Sequence, residues 1–80
     1  MRLPRDVSGQ DLVRALSSLG YEVTRQTGSH IRLTTKLESE HHITIPNHDP
    51  IRLGTLAAIL DAVAAHLKLE RSQLLKKLDL

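Results

Sequence analysis

The stretch that most narrows the folding options is Gly28-Ser29 followed by His30-Ile31-Arg32-Leu33-Thr34. Strict alternation of aliphatic and polar residues is the period of a half-buried β-strand, so Ile31 and Leu33 share one face and His30, Arg32 and Thr34 the other. With the aliphatic side buried, His30 and Arg32 stand side by side in solvent. An imidazole that titrates near neutral pH, beside a fixed positive charge, is a starting point for phosphodiester chemistry. The same residues also read as a plain hairpin turn with an exposed strand histidine, because the tripeptide by itself carries little specificity.

Parity extends the argument to both neighbouring strands. Tyr21 to Thr27 sets Tyr21, Val23 and Arg25 against Glu22, Thr24 and Gln26. A two-residue loop at Gly28-Ser29 pairs Val23 with Thr34 and Thr24 with Leu33, which puts apolar residues opposite polar ones. A three-residue loop, Thr27-Gly28-Ser29, pairs Val23 with Leu33 and Thr24 with Arg32, with Gly28 supplying the positive φ. The three-residue loop is the expectation, since a one-residue slip exposes the whole apolar set. It leaves the Cβ of Arg25 on the core side near the strand end, from where the side chain must snorkel to reach solvent. On the other side, Lys36 to Glu40 is turn-like and leads into His41-His42-Ile43-Thr44-Ile45-Pro46. Matching Leu33 with Ile43 and Ile31 with Ile45 brings His30 level with Pro46, so Pro46-Asn47-His48 should begin close to His30.

Helices flank the three strands. Met1 to Asp6 reads as an exposed arm with Arg2 and Arg5 around Pro4. Ser8 is a good N-cap with Asp11 three residues on, and Val7 and Leu12 stand at the staple positions. Leu12, Val13, Leu16 and Leu19 then recur at helical spacing until Gly20, so the first helix is expected over Gly9–Leu19. Leu56, Ile59, Leu60, Val63 and Leu67 define a second, from about Thr55 to His66, rich in alanine. Leu69 to Leu78 forms either a short third helix or the far arm of one bent helix. The expected fold is α+β, ordered α-β-β-β-α(-α): one antiparallel sheet buries Val23, Ile31, Leu33, Ile43 and Ile45 under helices and leaves its other face in water.

Composition bounds the function. Eighty residues make one small domain. Phe and Trp are absent and Tyr21 is the only aromatic residue, so the core is aliphatic and the usual stacking platforms of single-strand binders are nearly missing. There is no Cys, which fits a reducing cytoplasm. No apolar run approaches a membrane span, and no signal peptide is apparent. A net charge of +2 permits an anionic partner without demanding one. His41, His42 and His48, with Glu38, Glu40 and Asp49 nearby, fit no zinc spacing, and alternation turns His41 and His42 to opposite faces, so no metal site is expected. His66 reads as a surface residue at a helix end, and Asp61 as a solvated position.

At this point several stretches resemble a known family, the HicA (YcfA-like) toxins of bacterial type II toxin–antitoxin systems. They are Val7-Ser8-Gly9 with Leu16, Leu19 and Gly20; Gly28-Ser29-His30; Ile45-Pro46-Asn47-His48; and Leu53-Gly54-Thr55-Leu56 with Ile59-Leu60. They occur in family order over roughly Leu3 to Leu78. The resemblance implies a fold like the double-stranded RNA-binding domain, an mRNA-cleaving activity and neutralisation by a HicB-type antitoxin; the expected substrate is single-stranded mRNA, and no cofactor is expected. It carries the family's catalytic histidine onto His30 and the turn that presents it onto Gly28 and Ser29. His48 matches a common family position with no catalytic role attached.

RNA brings its own nucleophile, the 2′-hydroxyl, so an enzyme needs a base beside it, positive charge for the phosphorane and an acid for the leaving oxygen. His30 is the candidate for one or both proton transfers. Arg32 and Arg25 are candidates to hold the phosphate, against the reading of Arg32 as a strand residue without a role. Lys36 either joins the RNA contacts or solvates its loop. The competing class is a non-catalytic RNA-binding or protein-interaction module. A grip on double-stranded RNA is disfavoured, since Arg52 is the only cation near the start of the second main helix and Asp49 partly offsets it. An antitoxin is expected to cover the His30 face, the most direct way to mask the site.

Overall fold

The computed structural model describes residues 3–80; Met1 and Arg2 of the expected arm lie outside the described residues, and Arg5 is exposed. The chain begins its first helix where the capping signal stands. Ser8 Oγ accepts from the Asp11 backbone N–H at 3.0 Å and the Asp11 carboxylate accepts from the Ser8 N–H at 3.1 Å, a reciprocal pair that satisfies two otherwise orphaned donors. These bonds hold the Asp11 carboxyl below the usual range, the Ser8 backbone bond contributing most. The elements are α1 (Gly9–Ser17), β1 (Glu22–Thr27), β2 (His30–Thr35), β3 (His41–Pro46), α2 (Leu53–Leu67) and α3 (Arg71–Leu78). α1 stops short of Leu19, and Gly20 takes φ +94° just beyond it.

The strands form one antiparallel sheet in the order β1-β2-β3. Between β2 and β3 the register is the one that parity dictates: Leu33 faces Ile43, Ile31 faces Ile45, Arg32 faces Thr44 and His30 faces Pro46. Ile31, Leu33, Ile43 and Ile45 are buried against Leu12 and Leu16 of α1, Leu56, Leu60 and Val63 of α2, and Leu74 of α3. This is the α+β order α-β-β-β-α-α, with helices on one face of the sheet.

The β1–β2 hairpin departs from expectation. Its loop is the two-residue Gly28-Ser29, with Thr27 opposite His30, Gln26 opposite Ile31 and Arg25 opposite Arg32. A bulge then absorbs Thr24, after which Val23 faces Leu33 as expected and Glu22 faces Thr34. The chain thus takes the short turn and still recovers the aliphatic match, by leaving one residue out of the ladder. Val23 is nevertheless 50% exposed and does not join the core. β1 is the outer strand, exposed along its whole length, and the buried layer ends at β2.

The two C-terminal runs are separate helices. Lys68 adopts a left-handed conformation (φ 58°) as the C-cap of α2, and the Leu69 N–H donates to the Ala64 carbonyl at 2.8 Å, the kind of closure that ends a helix without glycine. Asp61, expected to be merely solvated, takes a two-pronged bond from Arg71, Nε–Oδ1 2.8 Å and Nη2–Oδ2 2.7 Å. That bond pulls its carboxyl below the usual range and ties α3 to α2.

Gly9 explains how α1 sits so close to the end of β3. Its N–H donates to the His48 carbonyl at 2.8 Å, and a Cβ added there would lie 2.5 Å from the Pro46 carbonyl oxygen and 2.9 Å from the Asn47 Cα. Both are backbone atoms, so relief requires displacing the helix. Overpacking of this kind costs about 1–3 kcal/mol, against up to about 1 kcal/mol that alanine gains in helix propensity. Gly9→Ala is therefore expected to lower the urea midpoint with an unchanged m-value, and an unshifted midpoint would show that the contact is not tight.

Candidate functional site

His30 lies at the meeting point of three segments. Gly28, at φ +55° with open space where a Cβ would be, starts the two-residue turn. Ser29 completes it, and its carbonyl accepts from the Asn47 N–H at 2.6 Å. That bond ties the turn to the chain leaving β3, beyond the Pro46 that faces His30. α1 reaches the same place through Gln10 Nε2, which donates to Asn47 Oδ1 at 3.3 Å. His30 itself is exposed, on the face opposite Ile31 and Leu33. His48 is exposed as well, and its backbone carbonyl serves to dock Gly9.

The two-residue turn decides which basic residues share that face. Residues directly opposite in an antiparallel pair present their side chains on the same side, and Arg25 faces Arg32. Arg25 therefore stands on the open face with Arg32 and His30, not on the core side where the three-residue loop would leave it. Thr27 lies beside His30, and Thr44 flanks Arg32 on β3. Neither arginine has an acidic partner among the described residues, and their strand positions lie two residues, about 7 Å of strand rise, from that of His30. Lys36 is also exposed, but past the far end of β2, where it borders a shallow concavity with Glu22, Thr24, Thr34 and Leu37.

That far end carries a line of hydrogen bonds that sequence reading did not single out. Thr24 Oγ1 and Thr34 Oγ1 lie 2.9 Å apart, Thr34 Oγ1 and His42 Nδ1 2.8 Å, and His42 Nε2 and Glu40 Oε2 3.1 Å. The signal for it was present: the same register that pairs Leu33 with Ile43 pairs Thr34 with His42.

The remaining histidines lie elsewhere. His41, turned to the opposite face from His42, shares a hydrogen bond between its Nδ1 and the Tyr21 hydroxyl at 2.9 Å and stacks on His66 with ring centres 4.3 Å apart. His66 donates through Nε2 to the Leu37 carbonyl at 2.9 Å, so it is a structural tie between α2 and the β2–β3 loop instead of a free surface residue. Tyr21 is fully buried, and burial raises its hydroxyl pKa. Burial, then the neighbouring charge of His66 and of His42, pushes the His41 pKa down. No cluster of three or more His, Cys, Asp or Glu side chains suited to a metal occurs among the described residues, and no helix is long and apolar enough to cross a membrane.

What this defines is a small α+β domain with an aliphatic face sealed by helices and an open sheet face that presents one histidine beside two arginines. The chain belongs to the family described as HicA toxin of bacterial toxin-antitoxin, whose sequence profile matches residues 9–65, well over half of the 80 residues. It is thus a toxin of a toxin–antitoxin system, which implies an antitoxin as its partner. The matched span contains His30, Arg25, Arg32 and the turn before them. No curated protein and no solved structure matches the chain.

The histidine stack generates a pH prediction. A histidine whose folded pKa lies below its ordinary 6.5 binds fewer protons folded than unfolded, so stability is full above about 6.5 and falls as the pH drops through the lowered value. The melting temperature should therefore decline between pH 7 and 5, and His41→Gln should flatten that decline. The carboxylates Asp11 and Asp61 act only below 3.8, so a parent melting curve flat to pH 5 would contradict the assignment to His41.

Proposed function

We propose that this toxin is a metal-independent endoribonuclease that cleaves single-stranded mRNA, with His30 as general acid–base group. The observation that carries the reading is the two-residue turn register that places Arg25 opposite Arg32, on the face where His30 is exposed, in a chain that belongs to a toxin family. His30 removes the proton of a ribose 2′-hydroxyl as that oxygen bonds to phosphorus. The P–O5′ bond breaks, and the departing oxygen takes a proton from the resulting imidazolium or from water. Arg32 and Arg25 hold the non-bridging phosphate oxygens as charge builds on them. Gly28 and Ser29 fix the height of the ring above the sheet, since the Ser29–Asn47 bond holds the turn against the end of β3. Lys36 adds positive charge farther along the same face.

A single imidazole supplies about 10²–10⁴ in rate, so the enzyme is slow, which suffices for a toxin that acts on many messages. A HicB-type antitoxin neutralises it by covering the His30 face, and both act in the cytoplasm.

The test is incubation of the protein with single-stranded RNA in the presence of a chelator. The parent should cleave at the same rate with and without chelator, and His30→Ala should lose about 10²-fold or more while melting like the parent. Equal cleavage by His30→Ala would overturn the assignment, and binding without cleavage by the parent would make the domain a non-catalytic RNA-binding module.

A further inference from the structure

We propose that His42, Glu40 and Thr34 form a base-recognition subsite that stacks an RNA base on the His42 ring and favours bases bearing an amino group over uracil; this rests on the open face being the RNA-binding face. Three observations carry it. First, the ring is held at both nitrogens. The Glu40 carboxylate can only accept, so His42 Nε2 must donate to it across 3.1 Å, and in the neutral ring Nδ1 then accepts from the Thr34 hydroxyl across 2.8 Å. Thr34 Oγ1 also lies 2.9 Å from Thr24 Oγ1, whose hydroxyl is placed to donate to the Arg32 carbonyl at 3.5 Å. With both nitrogens engaged, the neutral ring has no free lone pair for a metal or a proton transfer. The side chain is 39% exposed, and that open surface is where a base would stack.

Second, the location separates this subsite from the chemistry. Thr34 lies four residues along β2 from His30, about 13 Å of strand, and His42 is the direct partner of Thr34. That is far beyond the roughly 3 Å over which a proton moves to or from a reacting group. His42 therefore serves a nucleotide other than the one that is cut. Between the two positions the face carries Arg32 and Arg25, and beyond Thr34 it carries Lys36, so cations border the path from one histidine to the other.

Third, the chain has little else with which to hold a base. The only Phe, Trp or Tyr is Tyr21, which is fully buried. Single-stranded RNA is gripped largely by stacking on flat side chains, histidine among them, and His42 is the open-face ring whose orientation is fixed by bonds at both nitrogens. The Glu40 bond uses Oε2, which leaves Oε1 to accept from a base edge. Cytosine, adenine and guanine each present an amino group to it. Uracil offers one N–H between two carbonyl oxygens, which a carboxylate repels.

Binding of 2′-O-methyl oligocytidine and oligouridine, which lack the attacking hydroxyl, tests the subsite apart from cleavage. The parent should bind the cytidine strand more tightly. His42→Ala should weaken binding of both by about fivefold or more, the range of base stacking, and His42→Phe should restore it. Glu40→Gln, whose amide both donates and accepts, should erase the preference. Parent-like binding by His42→Ala or Glu40→Gln, or failure of the parent to bind either strand, would overturn the subsite. His30-dependent cleavage alongside parent-like His42→Ala binding would leave the nuclease standing without it. The expected binding pattern in a protein that does not cleave would leave the subsite standing without the nuclease.

Discussion

A two-residue turn and an aliphatic match between β1 and β2 make opposite demands on the parity of β1, and the unpaired residue Thr24 reconciles them. On the turn side of the bulge, Arg25 and Thr27 share a face with Arg32 and His30. Past it, Val23 returns to the side of Leu33. Without the extra residue, either Val23 faces Thr34, or Arg25 is carried round to the helix side and the arginine pair is lost. The pairing of β2 with β3 needs no such device, because its longer loop, Lys36 to Glu40, allows the aliphatic pairs to align directly. Two hairpins of different construction thus give one central strand, β2, with a sealed side and an open one.

The sealed side explains why so small a chain can leave the other bare. Its interior is nearly all Leu, Ile and Val from both helix and sheet layers, with Tyr21 as its one aromatic member. Four of the five histidines divide along the same line. His41 and His66 are committed to structure, stacked on each other and bonded to Tyr21 and to the Leu37 carbonyl. His30 and His42 stand on the open side. Among the described residues nothing hydrogen-bonds the His30 ring, whereas His42 is fixed at both ring nitrogens. A free imidazole suits proton transfer and a tethered one suits shape, so the two open-face rings are fitted to different tasks.

Much of this could be read from residue order. The Ser8–Asp11 cap, the β2–β3 register, the proximity of Pro46 to His30 and the aliphatic core of β2 and β3 all follow from short-range chemistry or from period-two parity. The β1 register did not, because parity treats a strand as uninterrupted and a bulge changes its phase partway along. Arg25 was assigned to the wrong face for that reason. Val23 was counted as core because alternation reports which side a residue faces and not whether a helix covers it. Asp61 is exposed and His66 lies at the surface as their positions imply, but their bonds to Arg71 and to the Leu37 carbonyl are not legible because those partners belong to other elements. Helix periodicity is blind to such contacts.

The claim on which the rest turns is that the face bearing His30 is where RNA lies. Histidine ring and arginine side-chain NMR resonances, followed during titration with a strand that cannot be cut, test it most directly. Shifts at His30, Arg25 and Arg32, with the resonances of His41 and His66 undisturbed, are the predicted result. Perturbation centred on His41 and His66, with His30 unmoved, would place RNA on the wrong side of the sheet and contradict the account.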